Sequence, residues 1–206
     1  EGLVCLLSDD VDADVLDASS DLSVVSTFSV GYDHVDLAAA ADRGIAVGHT
    51  PGVLTETTAD LAWALLLTCA RRTVEGHAYV DADEWEVWGP TLLTGADVHD
   101  ATLGIVGLGK IGTAVAERSA GFGMEVLYTG PTRKPDHEAD LAEVGVDATF
   151  VDRGELLARS DVVSLHVPLT EDTAGYIGED ELRRMDDDAI LLNTSRGGVV
   201  DTDALD

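Results

Sequence analysis

The chain alternates short apolar runs with stretches whose apolar residues recur at helical spacing. Runs at residues 3–7, 22–28 and 45–47 end at turn residues and are separated by Asp- and Ala-rich stretches of helical character. Such alternation builds a parallel sheet. From 55 to about 79 the pattern predicts one long helix, apolar nearly all round at residues 61–70 and therefore expected to be buried. A loop over 81–100 follows, carrying Trp85, Trp88, Pro90 and Gly95. Further strands are predicted near 101–106, 125–129, 148–151, 161–166 and 189–193, with helices between them. There is no fixed-period repeat and no low-complexity tract. The fold class is α/β, two Rossmann-like lobes divided at 53/54 and joined through residues 51–55. Both lobes are expected to be partial, because Glu1 is not an initiator methionine and Asp206 closely follows Thr202, which could cap a new helix.

Within this frame Gly107-Leu108-Gly109-Lys110-Ile111-Gly112 stands between an apolar, uncharged run and a segment of helical spacing over 113–120. That order is strand, glycine turn, helix. The first glycine makes the tight turn, the second lets a pyrophosphate touch the backbone, and the third lets helix pack on strand. The N–H groups and positive dipole end of the helix then hold the phosphates. Glycine is common here, 21 of 206 residues, so the context carries the reading rather than the motif alone.

Charge narrows the partners. Forty acidic residues against twelve basic ones give a net charge of -28, and Lys110 and Lys134 are the only lysines. Such a chain repels nucleic acid and anionic membranes. The acids interrupt apolar periodic segments along the whole length, so they read as the outer face of a folded protein. A strongly acidic surface with few lysines resembles proteins of salt-loving archaea. Cys5 and Cys69 lie in apolar segments and read as small buried hydrophobes, with no disulfide framework or metal site. The longest apolar run, 61–70, is about half a membrane span, and no secretory signal is visible, so the cytoplasm is the expected location.

An NAD-binding unit should place an acid at the end of its second strand, about 20 residues past the first glycine, to hold the ribose 2′-hydroxyl. Here Tyr128 leads into Thr129-Gly130-Pro131-Thr132-Arg133-Lys134 with no acid. A forked guanidinium beside a point charge suits a 2′-phosphate, so NADP is expected over NAD. Ligands of an open parallel sheet sit beyond the carboxyl ends of the strands. Two such places stand out, residues 164–170 around His166 and residues 193–198, where Arg196 follows an apolar strand. An arginine there can grip a substrate carboxylate bidentately and polarise an adjacent carbonyl. Lone arginines and histidines more often serve structure.

Together the segments Ser29-Val30-Gly31-Tyr32-Asp33, Thr57-Thr58-Ala59-Asp60-Leu61, the glycine turn, His166-Val167-Pro168-Leu169-Thr170 and Asn193-Thr194-Ser195-Arg196-Gly197 resemble the D-isomer-specific 2-hydroxyacid dehydrogenases over essentially the whole chain. Residues 53–60, the tryptophan loop ending in Trp88-Gly89-Pro90, and Tyr128-Thr129-Gly130 with its trailing cations are similar to the glyoxylate and hydroxypyruvate reductases, usually NADPH enzymes. The resemblance implies a flavodoxin-like substrate lobe over 1–53 and an NAD(P)-binding Rossmann domain over 54–206. It implies that Val30 and Gly31 present N–H groups to the substrate carboxylate and that Arg196 binds carboxylate and keto oxygen. Gly107, Leu108, Gly109, Lys110, Ile111 and Gly112 would cradle the pyrophosphate, and Thr129, Arg133 and Lys134 the adenosine phosphate. Thr58, His166, Val167, Pro168, Thr173, Asn193, Thr194 and Ser195 would line the remaining cofactor groove. The long helix and tryptophan loop imply a homodimer, with Trp85 or Trp88 reaching the partner's cleft.

One departure qualifies the resemblance. The family's proton donor is a histidine oriented by a glutamate, both downstream of the arginine motif, and the ten residues after Arg196 contain neither. His34, His49, His77, His99, His137 and His166 stand at other positions. The expectation is a reductase of glyoxylate, hydroxypyruvate or a related 2-keto acid that carries here the cofactor site and the arginine but not the acid. The alternatives are a sister phosphoglycerate, lactate or formate dehydrogenase, or a cofactor-sensing protein resembling the family's corepressors.

Overall fold

The structure, a computed structural model, describes residues 1–205. The chain divides into two units, Glu1–Leu54 and Thr55–Asp206.

In the first unit β1 (Gly2–Cys5), α1 (Ala13–Leu16), β2 (Val24–Thr27), α2 (Leu37–Asp42) and β3 (Ala46–Gly48) alternate along the chain. The strands form a parallel sheet in the order β1-β2-β3. Part of the acidic excess works locally here. Asp12 caps α1 by accepting from the Val15 N–H at 3.0 Å, and Asp36 caps α2 by accepting from the Ala39 N–H at 2.8 Å. Cys5, Leu16, Val25, Ala40 and Ile45 build the core of this unit. Period-2 alternation in β2 buries Val25 and Thr27 and exposes Val24 and Ser26.

The second unit opens with α3 (Thr55–Ala70) and α4 (Thr73–Asp81) and continues with β4 (Thr102–Val106), α5 (Lys110–Arg118), β5 (Glu125–Thr129), α6 (Pro135–Glu143), β6 (Ala148–Phe150), α7 (Arg153–Arg159), β7 (Val162–Leu165), α8 (Glu179–Leu182) and β8 (Ile190–Asn193). Its five strands are parallel in the order β6-β5-β4-β7-β8. The chain leaves β4 toward β5 on one side and returns to β7 on the other, so a topological switch point lies beside β4, where such sheets open a ligand crevice. Both faces are covered, as a parallel sheet requires. Trp63, Leu66, Val115 and Tyr128 belong to one apolar layer, and Leu127, Leu156, Leu157 and Leu165 to the other. Trp63 pins α3 to α5, donating from its indole N–H to the Val115 carbonyl at 2.9 Å and stacking on Phe122 at 4.7 Å.

Three expectations are corrected. The helix predicted over 55–79 is two helices, broken at Arg72, which adopts a left-handed φ of 50°. The cause is tertiary: the Ala70 carbonyl accepts from the Ala96 N–H at 2.9 Å, and Gly95 packs so tightly there that a Cβ would lie 1.9 Å from that carbonyl oxygen. Nor is the 61–70 stretch buried all round, because Leu61, Leu65 and Cys69, spaced four apart, form an exposed stripe opposite Ala62, Trp63 and Leu66. Cys69 is therefore exposed, while Cys5 is buried. Among the described residues no helix is long and apolar enough to cross a membrane, and no cluster of His, Cys, Asp or Glu could hold a metal ion.

Candidate dinucleotide and 2-keto-acid site

The glycine turn sits where β4 meets α5. Gly107 has φ +94°, and a Cβ there would lie 2.8 Å from the His166 carbonyl oxygen and 2.8 Å from Val167 Cγ1. The turns after β4 and β7 thus touch through backbone. A Cβ at Gly112 would lie 2.3 Å from the Gly107 carbonyl oxygen, so helix and turn are packed as closely as the chain allows. Gly109 differs: nothing stands within 4 Å of its Cβ position. It starts α5 with extended backbone and no side-chain cap, and the first backbone bond into the helix is Thr113 N–H to Gly109 carbonyl at 2.8 Å. The N–H groups of Leu108, Lys110, Ile111 and Gly112 have no acceptor among the described residues. Open space, unpaired donors and the positive helix end together fit an anion.

Beside it, Thr129 ends β5, buried, with its carbonyl accepting from the Gly107 N–H at 2.9 Å. The following loop departs from the sequence reading in one respect. Arg133 lies against Glu138 of α6, with Nε 2.9 Å and Nη2 2.7 Å from the carboxylate oxygens. This pairing lowers the Glu138 pKa and raises that of Arg133. Glu138 also accepts from the buried Tyr128 hydroxyl, which itself accepts from the Lys134 N–H at 2.8 Å. The Lys134 side chain makes no ion pair among the described residues. Glu138 was missed because it stands beyond the strand end. Tyr128 carried the signal, since a hydroxyl on a buried strand needs a polar partner.

At the end of β7, His166 bonds through Nε2 to the Ser164 hydroxyl at 2.8 Å, and burial lowers its pKa to about 4. At neutral pH the ring is uncharged. Thr173 accepts from the Thr170 N–H at 2.8 Å and donates to the Pro168 carbonyl at 2.5 Å, closing the turn that follows Val167. After β8, Asn193 ties the next turn. Its Oδ1 accepts from the Ser195 N–H at 2.9 Å and hydroxyl at 2.8 Å, and its Nδ2 donates to the Arg196 carbonyl at 2.9 Å. The Thr194 hydroxyl is buried with no partner, an orphan polar atom at the end of a strand. Thr58 lies half-buried in the first turn of α3.

In the first unit the turn after β2 carries Val30 and Gly31. The Val30 carbonyl accepts from His49 Nδ1 at 2.9 Å, and Ser29 donates to the Gly31 carbonyl. Both carbonyls are thus engaged within the unit, whereas the N–H groups of Val30 and Gly31 have no acceptor among the described residues.

Residues 63–206 match the family described as D-isomer specific 2-hydroxyacid dehydrogenase, NAD binding domain. The chain belongs to this family. It is 53% identical over 206 residues to a glyoxylate reductase of Korarchaeum cryptofilum, and 49% identical over 209 residues to one of Thermococcus litoralis, all of this chain being covered in each case. It spans 60% and 62% of the length of these relatives. The crystal structure of D-lactate dehydrogenase from Aquifex aeolicus complexed with NAD and lactic acid is similar at TM-score 0.90 and 34% identity, covering 100% of this chain and 59% of that one. For a dehydrogenase of this family the open Gly109, the unpaired amides of α5 and the orphan Thr194 hydroxyl fit a dinucleotide.

Proposed function

We propose that the full-length protein is an NADPH-dependent reductase of a small 2-keto acid of the glyoxylate or hydroxypyruvate type, giving the D-2-hydroxy acid. The observation that carries this reading is the topological switch point: the anion-ready turn at Gly109 and the turn that launches Arg196 follow β4 and β8 of one parallel sheet. The glyoxylate reductases about half identical to it supply the substrate class.

In this reading Gly107 to Gly112 hold the pyrophosphate through Leu108, Lys110, Ile111 and Gly112 N–H groups, with Gly109 leaving room for it. Thr129, Arg133 and Lys134 hold the adenosine phosphate, and Gly130, whose Cβ position is open, stands where an NAD-selecting acid would clash with it. His166, Val167, Pro168, Thr173, Asn193, Thr194, Ser195 and Thr58 line the rest of the groove. When bound, the reduced nicotinamide supplies the hydride for C2. Val30 and Gly31 N–H groups hold the substrate carboxylate, and Arg196 binds carboxylate and keto oxygen, stabilising the negative charge that develops on that oxygen. No proton transfer is assigned to His166, which is neutral and already bonded to Ser164.

The exposed apolar stripe of Leu61 and Leu65, with Val74, Val80, Trp85 and Trp88 also exposed, supports a homodimer. The charge of -28 supports a salt-adapted protein.

The test is Arg196→Ala in the full-length protein. Turnover falls by about 10²- to 10³-fold, as when a group stabilising the developing oxyanion is removed, while NADPH binding is retained. Unchanged turnover contradicts the assignment.

A further inference from the structure

Tyr128, Arg133, Lys134 and Glu138 form one connected polar assembly between the carboxyl end of β5 and the first turn of α6. Glu138 lies in the first turn of α6 and its side chain is 15% exposed, whereas the Arg133 side chain is 65% exposed. The buried partner anchors the exposed one. Arg133 approaches with Nε and Nη2 on the two carboxylate oxygens, and Nη1 has no partner among the described residues. Behind the carboxylate, Tyr128 is 1% exposed and holds both Glu138 and the Lys134 backbone. A residue of the sheet core thus fixes the carboxylate, the carboxylate fixes the guanidinium, and the same hydroxyl fixes the backbone of the second cation.

We infer that Glu138 is a specificity-determining positioning residue, holding Arg133 edge-on so that its free Nη1 side, with Lys134, receives the 2′-phosphate of the cofactor. The inference deepens the NADPH reading and rests on it. Two opposed effects decide its sign. A carboxylate near a phosphate repels it, but both Glu138 oxygens already accept hydrogen bonds and its charge is matched by Arg133. An unanchored Arg133, by contrast, would be one exposed guanidinium in a chain of 40 carboxylic acids, with Asp136 only three residues away. Orientation wins, because a preformed donor loses less freedom on binding than one drawn from competing partners.

The experiment titrates the full-length protein and its Glu138→Gln and Tyr128→Phe variants with NADPH and NADH in molar salt, following nicotinamide fluorescence, and repeats it with 2′,5′-ADP against 5′-AMP. The wild type prefers the 2′-phosphorylated member of each pair. Glu138→Gln weakens NADPH and 2′,5′-ADP by about tenfold, roughly the loss of one oriented contact, and leaves NADH and 5′-AMP within about twofold. Tyr128→Phe shifts the same ratio in the same direction by less, and serves if Glu138→Gln does not fold. A wild type without the preference overturns the NADPH reading and this inference with it. A wild type that prefers NADPH while Glu138→Gln leaves the ratio unchanged, weakens both cofactors equally, or tightens NADPH overturns the inference alone.

Discussion

Gly112 and Gly107 are packed backbone against backbone: a Cβ on Gly112 would lie 2.3 Å from the Gly107 carbonyl oxygen. Three positions before Gly112, Gly109 faces open space. The two glycines therefore fail differently. Gly112→Ala must push α5 off the turn and costs about 1–3 kcal/mol of stability, as overpacking does. Gly109→Ala is compatible with its φ of -95° and leaves the melting temperature unchanged, but its methyl group occupies the place of the pyrophosphate and weakens dinucleotide binding by about tenfold or more. Thermal melts and cofactor titrations of the two variants check this. Equal effects of both substitutions on stability would contradict the packing described.

His166 gives a pH signature. Its folded pKa of about 4 lies below the ordinary value of 6.5 because burial disfavours the charged ring. Between those values the unfolded chain binds a proton that the folded one does not, so stability rises with pH across this window and is lost as pH falls through it. From pH 7 to pH 5 this one ring lowers stability by about 2 kcal/mol. His166→Asn should lose less stability than the wild type over that interval, by about that amount, in denaturant titrations at the two pH values. Parallel pH profiles would show that the ring is not held neutral.

The acidic surface predicts a salt response. Ion pairs such as Arg118 with Glu56 and Asp60 engage only a fraction of the 40 acids, and the rest repel one another. Molar salt shortens the screening length from about 10 Å to about 3 Å. The melting temperature should rise by at least about 4 °C between 0.1 M and molar salt, roughly 1 kcal/mol or more for a chain of this size. A constant or falling value would mean that the charges are tolerated without screening.

Much of this arrangement was legible because it depends on local order along the chain. The apolar run before Gly107 and the helical spacing after Gly112 announced β4 and α5, and the apolar runs announced the strand ends where Thr129, His166 and Asn193 stand. What escaped depends on distant residues. The break at Arg72 follows from Ala96 reaching the Ala70 carbonyl, a contact across the whole tryptophan loop that periodicity does not encode. The exposure of Cys69 follows from which side of α3 meets α5, which an all-apolar stretch does not reveal. The engagement of Arg133 by Glu138 was hidden because the acid comes not from the end of β5 but from the next helix.

The most direct test of the account is a titration of the full-length protein with NADPH and NADH in molar salt, followed by addition of glyoxylate or hydroxypyruvate. The account predicts tighter binding of NADPH and its oxidation when the 2-keto acid is added. Binding without oxidation by either acid or by any other small 2-keto acid would contradict it, and would point to a protein that senses the dinucleotide rather than one that uses it.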